Sequence, residues 1–466
     1  MGAKLSTSLT YMKIAIEGCC HGELDAIYAE LARLEQHNGY SVDLLLVCGD
    51  FQAVRNHRDL ACMAVPDKYK QLGGFAKYYT GEARAPVLTL VIGGNHEASN
   101  YFWELYHGGW LAPNIYFLGH AGCVQVNGVR ITGASGIFKP GDFHLGHHER
   151  PPYDRGSLRS IYHLREYNVR RLSLLSSPAI FLSHDWPQGI EHHGDTRDLL
   201  RRKPYFREDI RKGALGSPPM MGLLRTLRPA WWFSAHLHCR FEAVVVHEGG
   251  GGGRQHKSTV AEKTNPDEIN IDDEEEEPKP AAAGEVEEKE GARRTATPIN
   301  PDEITLDDEA DEVEAPPPPP TQTRFLALDK CLPRRRFLEV IDVDAPAPSS
   351  PPSLTFDPEW LAITRAFNPY MSLERRQGTY PDEPQARASV REALDWVREH
   401  VLSGKECGLK VEDVQQFVAT APGPAADEPR APPPYYSNPQ TAAFCSMLQI
   451  ENKVDQVAAG GSGPSS

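Results

Sequence analysis

No stretch of the chain stays apolar for the 18 or more residues that a membrane-spanning helix needs, so no membrane span is expected. The opening residues, "MGAKLSTSLTYMK", hold no apolar core of signal-peptide length, so no secretory leader is expected either. Cysteine is sparse: nine residues in a chain of 466, at positions 19, 20, 48, 62, 123, 239, 331, 407 and 445. Their odd number and scattered spacing argue against a disulfide framework and against a paired Cys-x-x-Cys zinc module. A reducing compartment, cytosol or nucleus, follows from that usage. "MGAKLS" matches the pattern for myristoylation at Gly2, but the pattern is short and one acyl chain anchors weakly, so an unmodified N-terminus is the expectation.

The net charge of −15 is not spread along the chain. Residues 249–320 carry 21 Asp/Glu against 7 Lys/Arg, a net of −14. Residues 130–240 carry 18 Lys/Arg against 10 Asp/Glu, a net of +8. A basic folded region therefore precedes an acidic tract, and the basic region is the place to look for a polyanionic ligand.

Residues 12–248 alternate short β-rich runs with helical patterns. "KIAIEG", "DLLLVCGD", "VLTLVIGGNHE", "IYFLG", "CVQVNGVRITGASG", "AIFLSHDW", "WWFSAHLH" and "FEAVVVH" read as strands, several stopping abruptly at Gly, Asp, Asn or His. After the first of them, Leu24, Ile27, Tyr28, Leu31 and Leu34 recur on one face of a helix. This alternation predicts an α/β fold, with functional groups gathered where loops leave the strand ends. Residues 249–320, with "EGGGGGRQ", a Glu-rich block and "APPPPPTQ", have too little apolar surface to offset their ordering entropy and read as a disordered acidic linker. Within it, "TNPDEINIDDEEEE" (264–277) and "INPDEITLDDEADE" (299–312) repeat. The repeat resembles the docking motifs of ubiquitin-like modifiers, a partner class to set beside the blander reading of a solvated acidic linker, which the composition favours. Order is expected to resume over 322–452. "RFLALDKCLPRRRFLEVIDV" (324–343) reads as two strands around a turn, and "SVREALDWVREHVL" (389–402) as a helix with Val390, Leu394, Val397 and Val401 in one stripe. Residues 453–466 read as a frayed tail.

"CCH" (19–21), "GD" (49–50), "GNHE" (94–97), "SHDW" (183–186) and the histidines of "AHLH" (236 and 238) all fall where strands end. Each alone is more often a satisfied polar group than a ligand. Together they bring Asp, Asn and several His to one edge of a sheet, the donor set of a metal site. Two ions would need a shared ligand, and the carboxylate of Asp50 can bridge with its two oxygens.

The succession D-x-H, G-D, G-N-H-[DE], H and G-H-x-H resembles that of the calcineurin-like metallophosphoesterases, with Cys19 in place of the first Asp and Ala235 in place of the Gly before the last histidines. "GCCHGELDAIY", "CGDFQAVRN", "GGNHEASNY", "ITGASGIFK", "FLSHDWPQGI", and later "NPY" (368–370) and "NPQTAAFC" (438–445), resemble the RNA lariat debranching branch of that superfamily. The likeness covers about 12–248 and 322–452. It implies a metallophosphoesterase β-sandwich flanked by helices, a smaller C-terminal α+β domain, and a catalytic domain at 12–248 interrupted from its partner by the acidic insert. It implies one metal pocket from Cys19, His21, Asp50 and His238, and a second from Asp50, Asn95, His184 and His236, holding one or two divalent ions (Fe2+, Zn2+ or Mn2+). His96 is implied as the general acid. Cys19 and His21, two residues apart in a strand-end turn, can face one ion, while Cys20 between them should point into the core. A thiolate at Cys19 favours zinc or ferrous iron over magnesium or calcium, and a redox dithiol is disfavoured because adjacent cysteines form strained disulfides. The implied reaction is hydrolysis of the 2′,5′-phosphodiester at an intron branch point by metal-activated water, in the nucleus with shuttling to the cytoplasm conceivable.

Residues 138–171 interleave Lys139, Arg150, Arg155, Arg159, Arg165, Arg170 and Arg171 with Phe143, Tyr153, Tyr162 and Tyr167. Guanidinium groups hold phosphates and aromatic faces stack unpaired bases, and the segment resembles the family's lariat-recognition loop. Lys139, Arg150, Tyr153, Arg155, Arg159, Tyr162 and Arg165 are the candidate RNA contacts. His144, His147 and His148 lie among them in a spacing that fits no zinc module, so RNA contact or solvation is expected of them. The rivals are another metal-dependent phosphodiesterase or nuclease, which Cys19 and the basic-aromatic segment argue against, and a non-catalytic scaffold, which would need missing ligands.

Overall fold

The structure is a computed structural model that describes residues 11–247, 321–346, 349–405, 408–425 and 431–455. The acidic tract with its repeats, the myristoylation pattern and most of the expected tail lie outside the described residues. The strands are β1 (Tyr11–Glu17), β2 (Leu44–Val47), β3 (Leu88–Val91), β4 (Gly109–Ala112), β5 (Ile115–Phe117), β6 (Ala121–Val126), β7 (Val129–Ala134), β8 (Ile180–Ser183), β9 (Trp231–Ser234), β10 (Phe241–Val246), β11 (Gln322–Ala327), β12 (Leu338–Asp344) and β13 (Leu354–Phe356). They form a six-stranded sheet in the order β12-β1-β2-β3-β5-β4 and a seven-stranded sheet in the order β10-β11-β9-β8-β7-β6-β13.

Alternation along β1 shows how the layers arise. Met12, Ile14 and Ile16 point into a core shared with Val124, Ile131, Ile180, Leu182 and Phe233 of the second sheet. Ala15 points the other way, into a layer with Leu45, Val47 and the helix Leu24–Asn38, whose Leu24, Ile27, Tyr28 and Leu31 are buried. Each fully buried Leu or Ile of this kind contributes about 1.5–3 kcal/mol. The helix stops at Gly39, which takes a left-handed backbone and donates its N–H to the Glu35 carbonyl. The result is a β-sandwich flanked by helices, of mixed α/β class. No helix among the described residues is long and apolar enough to cross a membrane.

The central strands β1, β2, β3 and β5 are mutually parallel, as are β7, β8, β9 and β11. Parallel strands deliver all their C-terminal loops to one edge, which is why motifs 200 residues apart in the chain can meet.

The segment after the acidic tract is woven into both sheets. β11 pairs in parallel with β9, and β12 pairs antiparallel with β1. So the two strands expected around a turn at 324–343 are not hydrogen-bonded to each other: the ten-residue connector between them, 328–337, crosses from one sheet to the other. Helices Pro358–Phe367, Glu383–His400 and Pro439–Met447 follow. The second buries Val390 and Val397, and Val401 just beyond its end is also buried.

Candidate metal centre

Four residues of the site, His21, Asp50, His236 and His238, have φ of 47°, 46°, 62° and 46°. Non-glycine residues reach this left-handed region at a cost on the order of 1 kcal/mol each, and such residues cluster at functional sites. The turns leaving β1, β2 and β9 are thus bent to aim side chains at one point. Gly94 permits the closest approach: a Cβ there would lie 2.2 Å from Asp50 Oδ1 and 2.8 Å from His184 Cε1.

The ligand atoms of Cys19, His21, Asp50 and His238 all lie within 4.8 Å of one another. His21 Nε2 is 3.2 Å from His238 Nε2 and 3.6 Å from Asp50 Oδ2. The backbone N–H of His236 donates to Cys19 Sγ at 3.2 Å. On the other side of Asp50, His184 Nε2 lies 3.4 Å from Asp50 Oδ1 and 3.2 Å from Asn95 Oδ1. The His236 ring stands 5.0 Å from that of His184. His184 Nδ1 donates to the Cys48 carbonyl at 2.8 Å, which turns Nε2 toward the two oxygens; burial opposes its charge, but Asp50 keeps the imidazole above its usual value. His21 Nε2 and His238 Nε2 face each other at 3.2 Å, and Asp50 Oδ2 is buried without a hydrogen bond of good geometry. Ring nitrogens and oxygens converging in this way could be held by cations, and the mixed imidazole, carboxylate, amide and thiol donors suit divalent transition metals.

The electrostatics agree. Burial pulls the imidazoles of His21, His236 and His238 down to about 4, about 3 and about 2, so all three are neutral at pH 7, the form that metal ligation requires. Burial opposes the charge of Asp50, but His184 and His96 hold its carboxyl well below the ordinary carboxylate range. Burial, then Asp50 and Glu17, push the Cys19 thiol well up, so a thiolate there calls for a bound cation. Cys20 is buried in the other layer, against the Leu24–Asn38 helix.

His96 stands beside this group. Its N–H donates to Asp50 Oδ1 at 2.9 Å and its Nδ1 lies 3.2 Å from Asp50 Oδ2, while its side chain remains 30 % exposed. Burial works against protonation, yet Asp50 keeps the imidazole above its usual value. The structure thus brings together Cys19, His21, Asp50, Asn95, His96, His184, His236 and His238.

Glu97 went unassigned in the sequence although it stands in the "GNHE" motif. Its carboxylate accepts the N–H groups of Phe51, Gln52 and Gly94 at 2.8, 2.7 and 2.9 Å, tying the Asp50 turn to the Asn95 turn. Burial and then Asp50 push it up to about 7.

The basic segment 138–171 folds as three short helices, Pro140–Phe143, Arg155–Ser160 and the start of Glu166–Ser173. It corrects several expected RNA contacts. Arg165 is fully buried, paired with Glu149, and donates to the carbonyls of Asp142 and Ser160 at 2.8 and 3.1 Å. Arg150 spends its guanidinium on the carbonyls of His147, Glu149 and Leu373. Tyr162 and Tyr167 are buried, as is Arg171, which bonds Thr364 and Asn168. These groups hold the segment against the body of the protein; Arg165, Tyr162, Tyr167 and Arg171 are closed to a phosphate, while Arg150 stays partly exposed. His147 is buried too, 3.0 Å from the Tyr106 hydroxyl, and is neither solvated nor open to RNA. His144 is exposed and pairs with Glu166 at 2.6 Å. Arg155, Arg159 and Arg170 are exposed, and Lys139 and Tyr153 are partly so.

The model of the calcineurin-like phosphoesterase family matches residues 12–240, and that of the lariat debranching enzyme C-terminal domain matches residues 320–453. The chain is 45% identical over 451 residues to the lariat debranching enzyme of Drosophila pseudoobscura pseudoobscura, an alignment covering 95% of this chain and 77% of that one. It is 40% identical over 451 residues to the lariat debranching enzyme of Arabidopsis thaliana, covering 95% of this chain and 88% of that one. The lariat debranching enzyme of Homo sapiens is 41% identical over 442 residues, with 94% and 69% covered.

Proposed function

The chain belongs to the lariat debranching enzyme family within the calcineurin-like phosphoesterases, and from that premise we propose how its residues hydrolyse the 2′,5′-phosphodiester at the branch point of an excised intron. The single observation that carries this reading is the convergence of two donor sets on the two oxygens of Asp50, with His96 held at their rim.

In this reading Cys19, His21, Asp50 and His238 would hold one divalent ion, and Asp50, Asn95, His184 and His236 a second, drawn from Fe2+, Zn2+ and Mn2+. Such ions, when bound, lower the pKa of a coordinated water and neutralise charge on the phosphoryl oxygens. His184 is oriented for ligation by the Cys48 carbonyl, and Glu97 keeps the Asp50 and Asn95 turns in register. His96 takes the role of general acid. Asp50 engages its Nδ1 side and favours the imidazolium, leaving Nε2 to give a proton to the departing ribose 2′-oxygen. The P–O2′ bond breaks, the oxygen of water joins phosphorus, and the phosphate stays on the former 5′ end of the intron. The exposed Arg155 and Arg159 and the partly exposed Lys139 would meet the RNA backbone, with Tyr153 beside them. The nucleus, where introns are excised, is the compartment this reading implies.

The test offers the purified, metal-loaded protein a branched RNA and a linear RNA of the same sequence. Cleavage at the branch with the linear control intact is expected. Equal rates on the two would overturn the assignment.

A further inference from the structure

The segment 138–171 leaves β7, on one side of the β8–β9 pair whose ends carry His184, His236 and His238. The strand on the other side of that pair is β11. Ala327 at the end of β11 aligns with Ser234 at the end of β9, and Leu338 at the start of β12 aligns with Glu17 at the end of β1. Both ends of the 328–337 connector are therefore at the functional edge, next to the turns that carry Cys19, His21, His236 and His238.

Its backbone is laced to the Cys19 turn. Gly18 N–H donates to the Phe337 carbonyl at 3.0 Å, Cys19 N–H to Asp329 at 3.4 Å, and Cys331 N–H to Cys19 at 3.1 Å, with Lys330 paired against Cys19 in a parallel bridge. The approach is so close that a Cβ on Gly18 would lie 2.1 Å from the Asp329 carbonyl oxygen.

The connector holds Lys330, Arg334, Arg335 and Arg336 against one acid, Asp329, a net of +3. Arg334, Arg335 and Arg336 are exposed, and Lys330 is half-buried. Arg335 reaches the buried Asp329 at 3.4 Å and Arg336 reaches Glu339 at 3.9 Å, and both arginine side chains stay more than half exposed. A cation held beside a site for divalent cations favours an anion that enters there.

We propose that Lys330, with Arg334, Arg335 and Arg336, binds backbone phosphates of the RNA arm that leaves the branch point on the Cys19–His238 side of the site. The inference rests on the debranching reading. A branch nucleotide joins three arms, and the segment 138–171 lies on one flank of the site only. The connector supplies the second phosphate track, and the C-terminal segment thereby becomes part of the substrate site.

The test measures binding by fluorescence anisotropy in the full-length protein carrying His96→Ala, with a branched RNA bearing three long arms and one trimmed to a single nucleotide on each arm. Lys330→Gln is expected to weaken binding of the long-armed RNA about 5–10-fold and to lower the slope of log affinity against log salt by about 0.7, the value for one lost single-strand phosphate contact. Lys330→Arg should keep the wild-type slope. The triple variant R334Q/R335Q/R336Q changes exposed side chains only, so it keeps the test open if Lys330→Gln folds poorly. It should lower the slope for the long-armed RNA and leave the trimmed RNA unaffected. Wild-type affinity and slope in both Lys330→Gln and the triple variant, or an equal loss on the trimmed RNA in the triple variant, would overturn the inference. Cleavage of the same RNAs by the protein with His96 intact separates the two levels. If it cleaves the branch while the slopes stay unchanged, the inference alone fails; if it leaves the branch uncut, the debranching reading falls and takes the inference with it.

Discussion

Replacing Arg165 by methionine should cost stability and leave the RNA-binding surface without a lost contact. Arg165 and Glu149 are both fully buried and paired, and Glu149 keeps one further bond, from the Ser160 hydroxyl at 2.5 Å. Methionine fills much of the volume but strands a buried carboxylate and two carbonyls. Removing one partner of a buried ion pair costs about 3–5 kcal/mol. With about 2 °C per kcal/mol for a chain of this size, the first melting transition at pH 7 should fall by about 6–10 °C. Adding Glu149→Leu should recover most of it. The assay is thermal unfolding at pH 7 for the single and double variants, beside anisotropy with branched RNA over a salt series. A variant that melts like the wild type while its salt slope flattens would show that Arg165 meets RNA and would refute the reasoning.

Three further outcomes follow from the site and the strand ends. Asp50→Ala should be purified without metal and without turnover, whereas His96→Ala should lose turnover and keep its metal; mass spectrometry of a metal-free His96 variant would reverse that assignment. Replacing residues 248–320 by a short glycine-rich turn should leave activity on a minimal branched RNA within about 2-fold, because Val246 pairs with Gln322 and His247 N–H bonds the Thr321 carbonyl at 2.8 Å, so the ends already meet; a large drop would place the tract in the site. Cys19→Asp should shift metal preference toward manganese, a harder ion, while Cys20→Ala, on the other layer, should cost at most about 1–2 kcal/mol and leave the metal profile unchanged, as activity measured with zinc, ferrous iron and manganese will show.

The donor set could be read from the sequence because each of its members terminates a short apolar run, and parallel strands bring such ends to one edge. What escaped reading depended on partners far along the chain. β12 pairs with β1 across more than 300 residues, and no local pattern in "RRRFLEVIDV" announces that neighbour. The ten residues before it are too many for the two-to-five-residue turn of a hairpin, a signal that could have separated β11 from β12. β13, three residues long, is below the length at which alternation speaks. In 138–171, Arg155 and Arg165 look alike in sequence. Only the fold shows that one is exposed and the other meets Glu149 in the interior. Glu97 was visible as the last letter of "GNHE", but its work is to accept backbone N–H groups, which a sequence does not display.

The pairing of β1 with β12 also sets a clock on synthesis. Asp329, whose carbonyl accepts the Cys19 N–H, follows Cys19 by 310 positions. At ribosomal speeds of about 5–20 residues per second, the Cys19 turn waits about 15–60 s for its anchors. Through that interval Cys19 and Cys20 lack the anchors that 328–344 supplies, and the outer edge of β1 lacks its β12 partner. A nascent chain in that condition offers loose thiols to any soft ion or oxidant it meets, while the geometry that orders Cys19, His21, Asp50 and His238 exists only once 328–344 has docked. An ion held jointly by these four residues would therefore have to load after 328–344 has been made, late in synthesis or after it.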